Sequence, residues 1–183
     1  MTLILIKHAM PQVNPDQTSR DWELGEEGIN GSKALAQELK ASGITRIITS
    51  QEPKAIQTGK TIAGVLNVPC AARDNLHEHD RRGVPYSDKE TFHKTVAQFF
   101  AQPDQLIFGN ETAEAARLRF DAAVRSVRQE FPDDQLAIVA HGTVITLFVA
   151  HYNQDVEAFS FWKGLDLPSQ VAVSGTNFEL ITT

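Results

Sequence analysis

The chain has 183 residues, 42% hydrophobic and 22% charged, with a net charge of −6 from 17 basic and 23 acidic side chains. That composition excludes a disordered, collagenous or disulfide-stapled chain, and a chain of this length buries about 70% of its unfolded surface without a metal or staple. The acidic balance argues against nucleic-acid and membrane partners, since nonspecific binding to either needs a basic field.

In chain order, residues 2–7 (TLILIK) form a β-branched and leucine-rich run, the pattern of a strand buried on both faces. Its apolar part, Leu3 to Ile6, is shorter than the about 7–15 residues of a signal-peptide core or the about 20 of a membrane span. A cytoplasmic protein is expected, and the single Cys70, which has no intramolecular partner for a disulfide, suits a reducing compartment. A polar loop with Pro11, Pro15 and Gly25 follows. The spacing of Leu35 and Leu39 predicts a helix over 26–41, with Gly43 as its stop. TRIIT (45–49) reads as a second buried strand. Pro53 suits the first turn of a helix whose apolar side is Ile56, Ile62, Val65 and Leu66, and a short strand near 69–73 comes next.

Residues 79–110 break the rhythm with Arg81, Arg82, Pro85 and Pro103 around an amphipathic stretch at 89–100. Beyond them the pattern predicts a helix over 111–131, a strand over 135–140, helices from about 143 and near 155–163, and two strands, SQVAVS and TNFELIT, joined around Gly175. Alternation of strand and helix predicts an α/β domain with a mostly parallel sheet and right-handed crossovers. Ligands of such sheets sit beyond the carboxyl ends of the strands. His8 directly follows the first strand, Ser50 the second and His141 the 135–140 strand, and Glu78 lies shortly after the third. A parallel sheet brings these positions to one edge.

The local sequences around them share a pattern. TLILIKHAMPQVN resembles the R-H-G-x-T-x-x-N segment that opens the histidine phosphatase superfamily, in its phosphoglycerate-mutase-like branch, with His8 at the nucleophile and Asn14 at the final Asn. TSQEPKAIQT (49–58) is similar to S-S-P-L-x-R-A-x-Q-T, matching at Ser50, Ala55, Gln57 and Thr58. LHEHD (76–80) resembles the segment with the family's acidic residue, which puts that role on Glu78. GNETAEAARLR (109–119) resembles the G-G-E-S helix start, with Arg119 where the family often has Arg. IVAHGTVI resembles the second-histidine motif, His141 followed by Gly142. The resemblance implies a three-layer α/β sandwich with helices on both faces, a single domain over 1–183, a phosphohistidine mechanism, and no metal or cofactor. Residues 79–110 would form a short lid over the site.

Phosphoryl transfer needs an in-line nucleophile, cationic donors around the oxygens and an acid for the leaving group. On this reading His8 is the nucleophile, kept uncharged by the nearby Lys7 and Lys54. His141 donates to the transferring group. Glu78 protonates the leaving oxygen, which calls for a raised pKa in a partly closed cleft. Lys7, Asn14, Ser50, Lys54 and Gly142 form the phosphate-binding set, and Arg81 and Arg82 at the lid's base are candidates to meet a carboxylate or second phosphate of the substrate. The chain departs from the family at Ala9 for Gly and Pro11 for Thr, and above all at Lys7 and Lys54 for two arginines. Lysine is a mobile point charge where arginine grips phosphate through a planar fork.

The expected function is a phosphatase that hydrolyses a small soluble phosphomonoester through phospho-His8. The two lysines motivate an alternative, a noncatalytic phosphate-ligand sensor. A phosphoglycerate-type mutase and a metal-dependent hydrolase built on His77-Glu78-His79-Asp80 stand behind these, since four consecutive ligands crowd one ion. Arg119 reads as a helix-stabilising residue, His93 and His151 as structural or exposed, and Trp22 and Trp162 as core or rim residues. Composition leaves homo-oligomerisation open.

Overall fold

A computed structural model describes residues 2–85 and 87–181. Its elements are β1 (Thr2–Lys7), α1 (Glu26–Glu38), β2 (Arg46–Thr49), α2 (Pro53–Leu66), β3 (Cys70–Ala72), α3 (Lys89–Ala101), α4 (Ala113–Glu130), β4 (Leu136–Ala140), α5 (Gly142–Tyr152), α6 (Ala158–Gly164), β5 (Ser169–Ser174) and β6 (Glu179–Leu180). The strands form one mixed sheet in the order β3-β2-β4-β1-β5-β6. The four strands β3, β2, β4 and β1 run parallel, whereas β5 joins β1, and β6 joins β5, in antiparallel fashion.

Strand alternation divides the core into two layers. Ile4, Ile6, Ile47, Ala137 and Val139 pack with Leu35 and Ala36 of α1 and Ile62 and Ala63 of α2. Leu3, Leu5, Ile48 and Ile138 pack with Phe120 and Val124 of α4 and Phe148 of α5. Helices therefore cover both faces, the condition for a parallel sheet made of near-continuous apolar runs. α3 is tied to the second layer, with Val96 and Phe99 fully buried. Among the described residues no helix is long and apolar enough to cross a membrane.

The predicted elements shift at their ends for local reasons. The first helix tightens into a 3-10 turn over Leu39–Ser42, and Gly43 stops it at φ +71°. α4 begins at Ala113 because the Thr112 hydroxyl accepts the Ala115 N–H as its cap. The polar loop after β1 holds a 3-10 turn at Ser19–Asp21. The TNFELIT run shortens to Glu179–Leu180, since Phe178 takes φ +49° to bury its ring; Thr182, its last residue, lies outside the described residues.

Close packing fixes the loop that follows β1. A Cβ on Gly28 of α1 would lie 2.2 Å from the Met10 carbonyl oxygen, so only glycine lets that helix approach the chain just past His8.

Candidate active site

β4 lies between β1 and β2, with Lys7 opposite Ala140 and Thr49 opposite Val139. The ladder runs one residue beyond the strands: the His8 N–H donates to the Ala140 carbonyl (3.0 Å) and the Ser50 N–H to the Val139 carbonyl (2.9 Å). His8, Ser50 and His141 thus meet at the carboxyl edge. The rings of His8 and His141 face edge to face, their centroids 5.2 Å apart and their planes at 60°.

The His8 tautomer follows from its partner. Nδ1 lies 2.8 Å from the Ala9 carbonyl, which can only accept, so Nδ1 carries the proton and Nε2 keeps its lone pair. Ala9 is held in turn: its N–H donates to the Thr58 hydroxyl (3.0 Å), and that hydroxyl donates to the Lys54 carbonyl (2.7 Å) on α2. Burial, reinforced by the Lys54 charge, lowers the His8 pKa to about 4. His141 is fully buried. Burial, then Lys54 and His8, hold its pKa well below the ordinary histidine value. Its Nε2 and the Ser50 hydroxyl share a 2.6 Å hydrogen bond, while its Nδ1 has no hydrogen-bond partner among the described residues.

Both lysines reach this edge with their ammonium groups already engaged. Lys54 donates to the Ser19 carbonyl and to the Glu52 carboxylate, each at 2.5 Å. Lys7 donates to the Leu165 carbonyl at 2.6 Å, and burial lowers its pKa against the opposing pull of Glu78 and Asp166. The Lys7 stem and Trp162 close around Gly142, where a Cβ would lie 3.3 Å from Lys7 Cε and 3.4 Å from Trp162 Nε1.

Glu78 sits at the N-terminus of α5. Its carboxylate accepts the N–H groups of Thr143 (3.2 Å), Val144 (3.3 Å) and His79 (2.9 Å). Burial pushes this carboxyl up, but the Arg81 guanidinium and the His79 N–H outweigh it and hold the pKa at about 2. The expected raised pKa is therefore not found: the carboxyl is held below its ordinary value. Glu78 occupies a helix N-terminus, the kind of position where a phosphate anion is well held. Arg81 lies 3.8 Å from Glu78, is stacked over Phe92 at 5.2 Å, and has a buried Nε with no hydrogen-bond partner among the described residues.

The contacts of three other predicted residues are local. Asn14 uses its side-chain oxygen on the Asp16 N–H and its carbonyl on Trp22 Nε1, both inside its own loop. Arg82 forks onto Asp80 and its side chain is 63% exposed at the cleft rim. Gly142 opens α5 one residue before the N–H groups that Glu78 takes. The four side chains of the 77–80 run do not converge either. Glu78 points to α5, His79 is buried against Phe99 and Phe108 with Nε2 on the Glu111 carbonyl, and Asp80 takes Arg82.

Two residues acquire roles that sequence reasoning missed. Glu52, only 4% exposed, accepts the Glu78 N–H (2.9 Å) and lies 3.4 Å from His141 Nε2. Its one visible signal was an acid two residues before Lys54. Arg119 is more than a helix-stabilising residue. It donates to the carbonyls of Asn75 (2.9 Å), His77 (3.0 Å) and Glu78 (3.2 Å) and pairs with Glu111, so it clamps the segment that presents Glu78. The motif spacing placed it near the site but not on those carbonyls.

The buried, uncharged His8 has a consequence for stability. The unfolded chain protonates its histidines near the ordinary pKa of 6.5, whereas folded His8 protonates near 4. The unfolded state thus binds the extra proton, and stability falls as pH drops from about 6.5 through about 4. For His8 alone the loss is roughly 3 kcal/mol. Urea unfolding at neutral pH and near pH 4 should show His8→Gln losing less stability on acidification than the wild type. An equal loss would contradict the buried neutral state.

Known proteins resemble this chain in sequence and fold. A curated relative, the uncharacterized phosphatase PhoE of Bacillus subtilis (strain 168), is 24% identical over 147 residues, covering 77% of this chain and 72% of its own. The alpha-ribazole phosphatase of Shigella flexneri has the same fold, with TM-score 0.75, 20% identity and coverage of 100% of this chain and 95% of its own. So does a phosphoserine phosphatase mutant of Entamoeba histolytica in complex with phosphoserine, with TM-score 0.77, 16% identity and coverage of 100% and 94%. The model of the histidine phosphatase superfamily (branch 1) matches residues 3–177, and the chain belongs to that family.

Proposed function

We propose that the protein is a metal-independent cytoplasmic phosphatase that hydrolyses a small phosphomonoester through a phosphohistidine on His8. The observation that carries this reading is the unprotonated Nε2 of His8, fixed by the Nδ1 bond to Ala9 and facing His141 across 5.2 Å between ring centroids. His8 Nε2 attacks phosphorus in line as the ester P–O bond breaks. The incoming dianion competes with Glu78 for the N-terminus of α5 and raises the pKa of the displaced carboxyl, which takes up a proton and passes it to the leaving oxygen. Glu78, ionised again, then removes a proton from water as the water attacks phosphorus. The P–N bond breaks and orthophosphate leaves. His141, Lys7, Lys54, Ser50 and the N–H groups after His141 oppose the charge on the phosphoryl oxygens.

The leaving group carries a second anion. Thr18, Arg20, Arg81 and Arg82 line one cleft together with Glu78. Arg81 supplies the partially buried fork, and its unpartnered Nε suits a carboxylate or phosphate. His79, Asp80, Arg81 and Arg82 line this cleft, and Arg81 stacks over Phe92 of α3. The Entamoeba relative, crystallised with phosphoserine, acts by name on an ester of this kind.

The engagement of both lysines favours a second reading, a phosphate-binding sensor without turnover. Release of phosphate from p-nitrophenyl phosphate separates the two. The wild type should turn over with EDTA present, and His8→Ala should lose at least about 10³-fold of that rate. Absence of activity in both supports the sensor, and activity surviving in His8→Ala contradicts the nucleophile. Arg81→Ala should raise KM about tenfold for a carboxylated phosphomonoester and much less for p-nitrophenyl phosphate. An equal rise for both substrates would remove Arg81 from leaving-group recognition.

A further inference from the structure

A buried carboxylate stands in the site that the proposed reaction leaves unused. Glu52 is the N-cap residue of α2, yet its side chain does not cap that helix. Its Oε2 takes the Lys54 ammonium at 2.5 Å, and its Oε1 accepts the Glu78 N–H at 2.9 Å and lies 3.4 Å from His141 Nε2. Lys54 and His141, two parts of the proposed phosphoryl pocket, and the main chain of the proposed acid Glu78 thus converge on one carboxylate.

This acid changes the charge that a phosphate meets. With both histidines uncharged, the formal charges of Lys7 and Lys54 are cancelled by those of Glu52 and Glu78, Arg82 is paired with Asp80, and only Arg20 and Arg81 add positive charge to the cleft. A phosphate monoester or orthophosphate carries roughly two negative charges at neutral pH. A like charge about 5 Å away, at an effective dielectric of about 20, weakens its binding by well over tenfold. Departure of Glu78 to the leaving oxygen relieves one of the two acids; Glu52, bound to Lys54 inside the fold, stays.

We infer that Glu52 is an affinity-limiting residue of the phosphate pocket: by neutralising Lys54 it keeps orthophosphate, the product, weakly held. The inference rests on the reading of this cleft as a phosphoryl site. It gives the Lys54 position a physical sense, since a lysine with its own internal counter-ion grips an oxyanion less than an arginine fork does.

Titration calorimetry with orthophosphate at neutral pH and low salt tests it without requiring turnover. Glu52→Gln removes the charge but keeps the side-chain volume and an oxygen to accept the Glu78 N–H. The variant should bind orthophosphate at least about tenfold tighter than the wild type, and added salt should shrink the difference. Inhibition of p-nitrophenyl phosphate hydrolysis by orthophosphate should strengthen in parallel. Affinity within twofold of the wild type, or weaker, overturns the inference. Lys54→Met tests the same pair from the other side, because it leaves Glu52 unpaired beside the incoming anion. It should weaken orthophosphate binding at least about tenfold, and unchanged binding would overturn the inference even if Glu52→Gln failed to fold. Turnover by the wild type with no tightening in Glu52→Gln removes only the role of Glu52. Failure of both the wild type and Glu52→Gln to bind orthophosphate removes the phosphoryl site as well.

Discussion

The site depends on the hydrogen bonding of one central strand. β4 is fully buried and paired on both sides, to β1 and to β2. A slip of one residue in either pairing would reverse the faces of the apolar side chains and drive Ile6 or Ile47 out of its layer, so the register is tightly specified. That register carries His8 and Ser50 past the ends of their strands to meet His141. Two apolar layers, assembled for burial alone, therefore hold two imidazoles from opposite ends of the chain within the span of one phosphoryl group.

Burial also sets the electrostatics. Removing His8 and His141 from water suppresses their charged forms, so the proposed nucleophile stays nucleophilic at neutral pH. The same low-dielectric setting makes each unpaired ion costly, and the charges are accordingly matched: Lys54 with Glu52, Arg119 with Glu111, and Glu78 with Arg81 and the first N–H groups of α5. Glu78 is the anion of that helix terminus. In the proposed mechanism a phosphate ester displaces it, and the displaced carboxyl gains the proton for the leaving oxygen.

Much of this was legible in the sequence, because the signals were local. TLILIK, TRIIT and QLAIVA are apolar runs long enough only for strands, and His8, Ser50 and His141 follow them directly. Pro53 opened a helix and Gly43 ended one, each through backbone geometry that acts in the residue itself. What stayed hidden depended on contacts between distant segments. Nothing local tells that β5 returns antiparallel beside β1. An acid before a proline reads as an ordinary helix start, so Glu52 became visible only when Lys54, His141 and Glu78 surrounded it. Glu78 is predicted to have a raised pKa from burial, a true effect outweighed by the Arg81 guanidinium three residues on and the His79 N–H, whose approach to the carboxylate depends on how the loop folds. Asn14 matched a motif, but with Pro15 and Asp16 beside it the local turn claimed its side-chain oxygen.

The measurement that bears most directly on the account is the identity of the phosphorylated residue. The enzyme is mixed with a phosphomonoester, quenched in alkali during turnover, digested and mapped by mass spectrometry. The account predicts one phosphoryl group on the peptide that contains His8, retained in base and lost in acid. A phosphoryl group on Ser50 or on His141, or turnover with no phosphorylated peptide at any quench time, would contradict it.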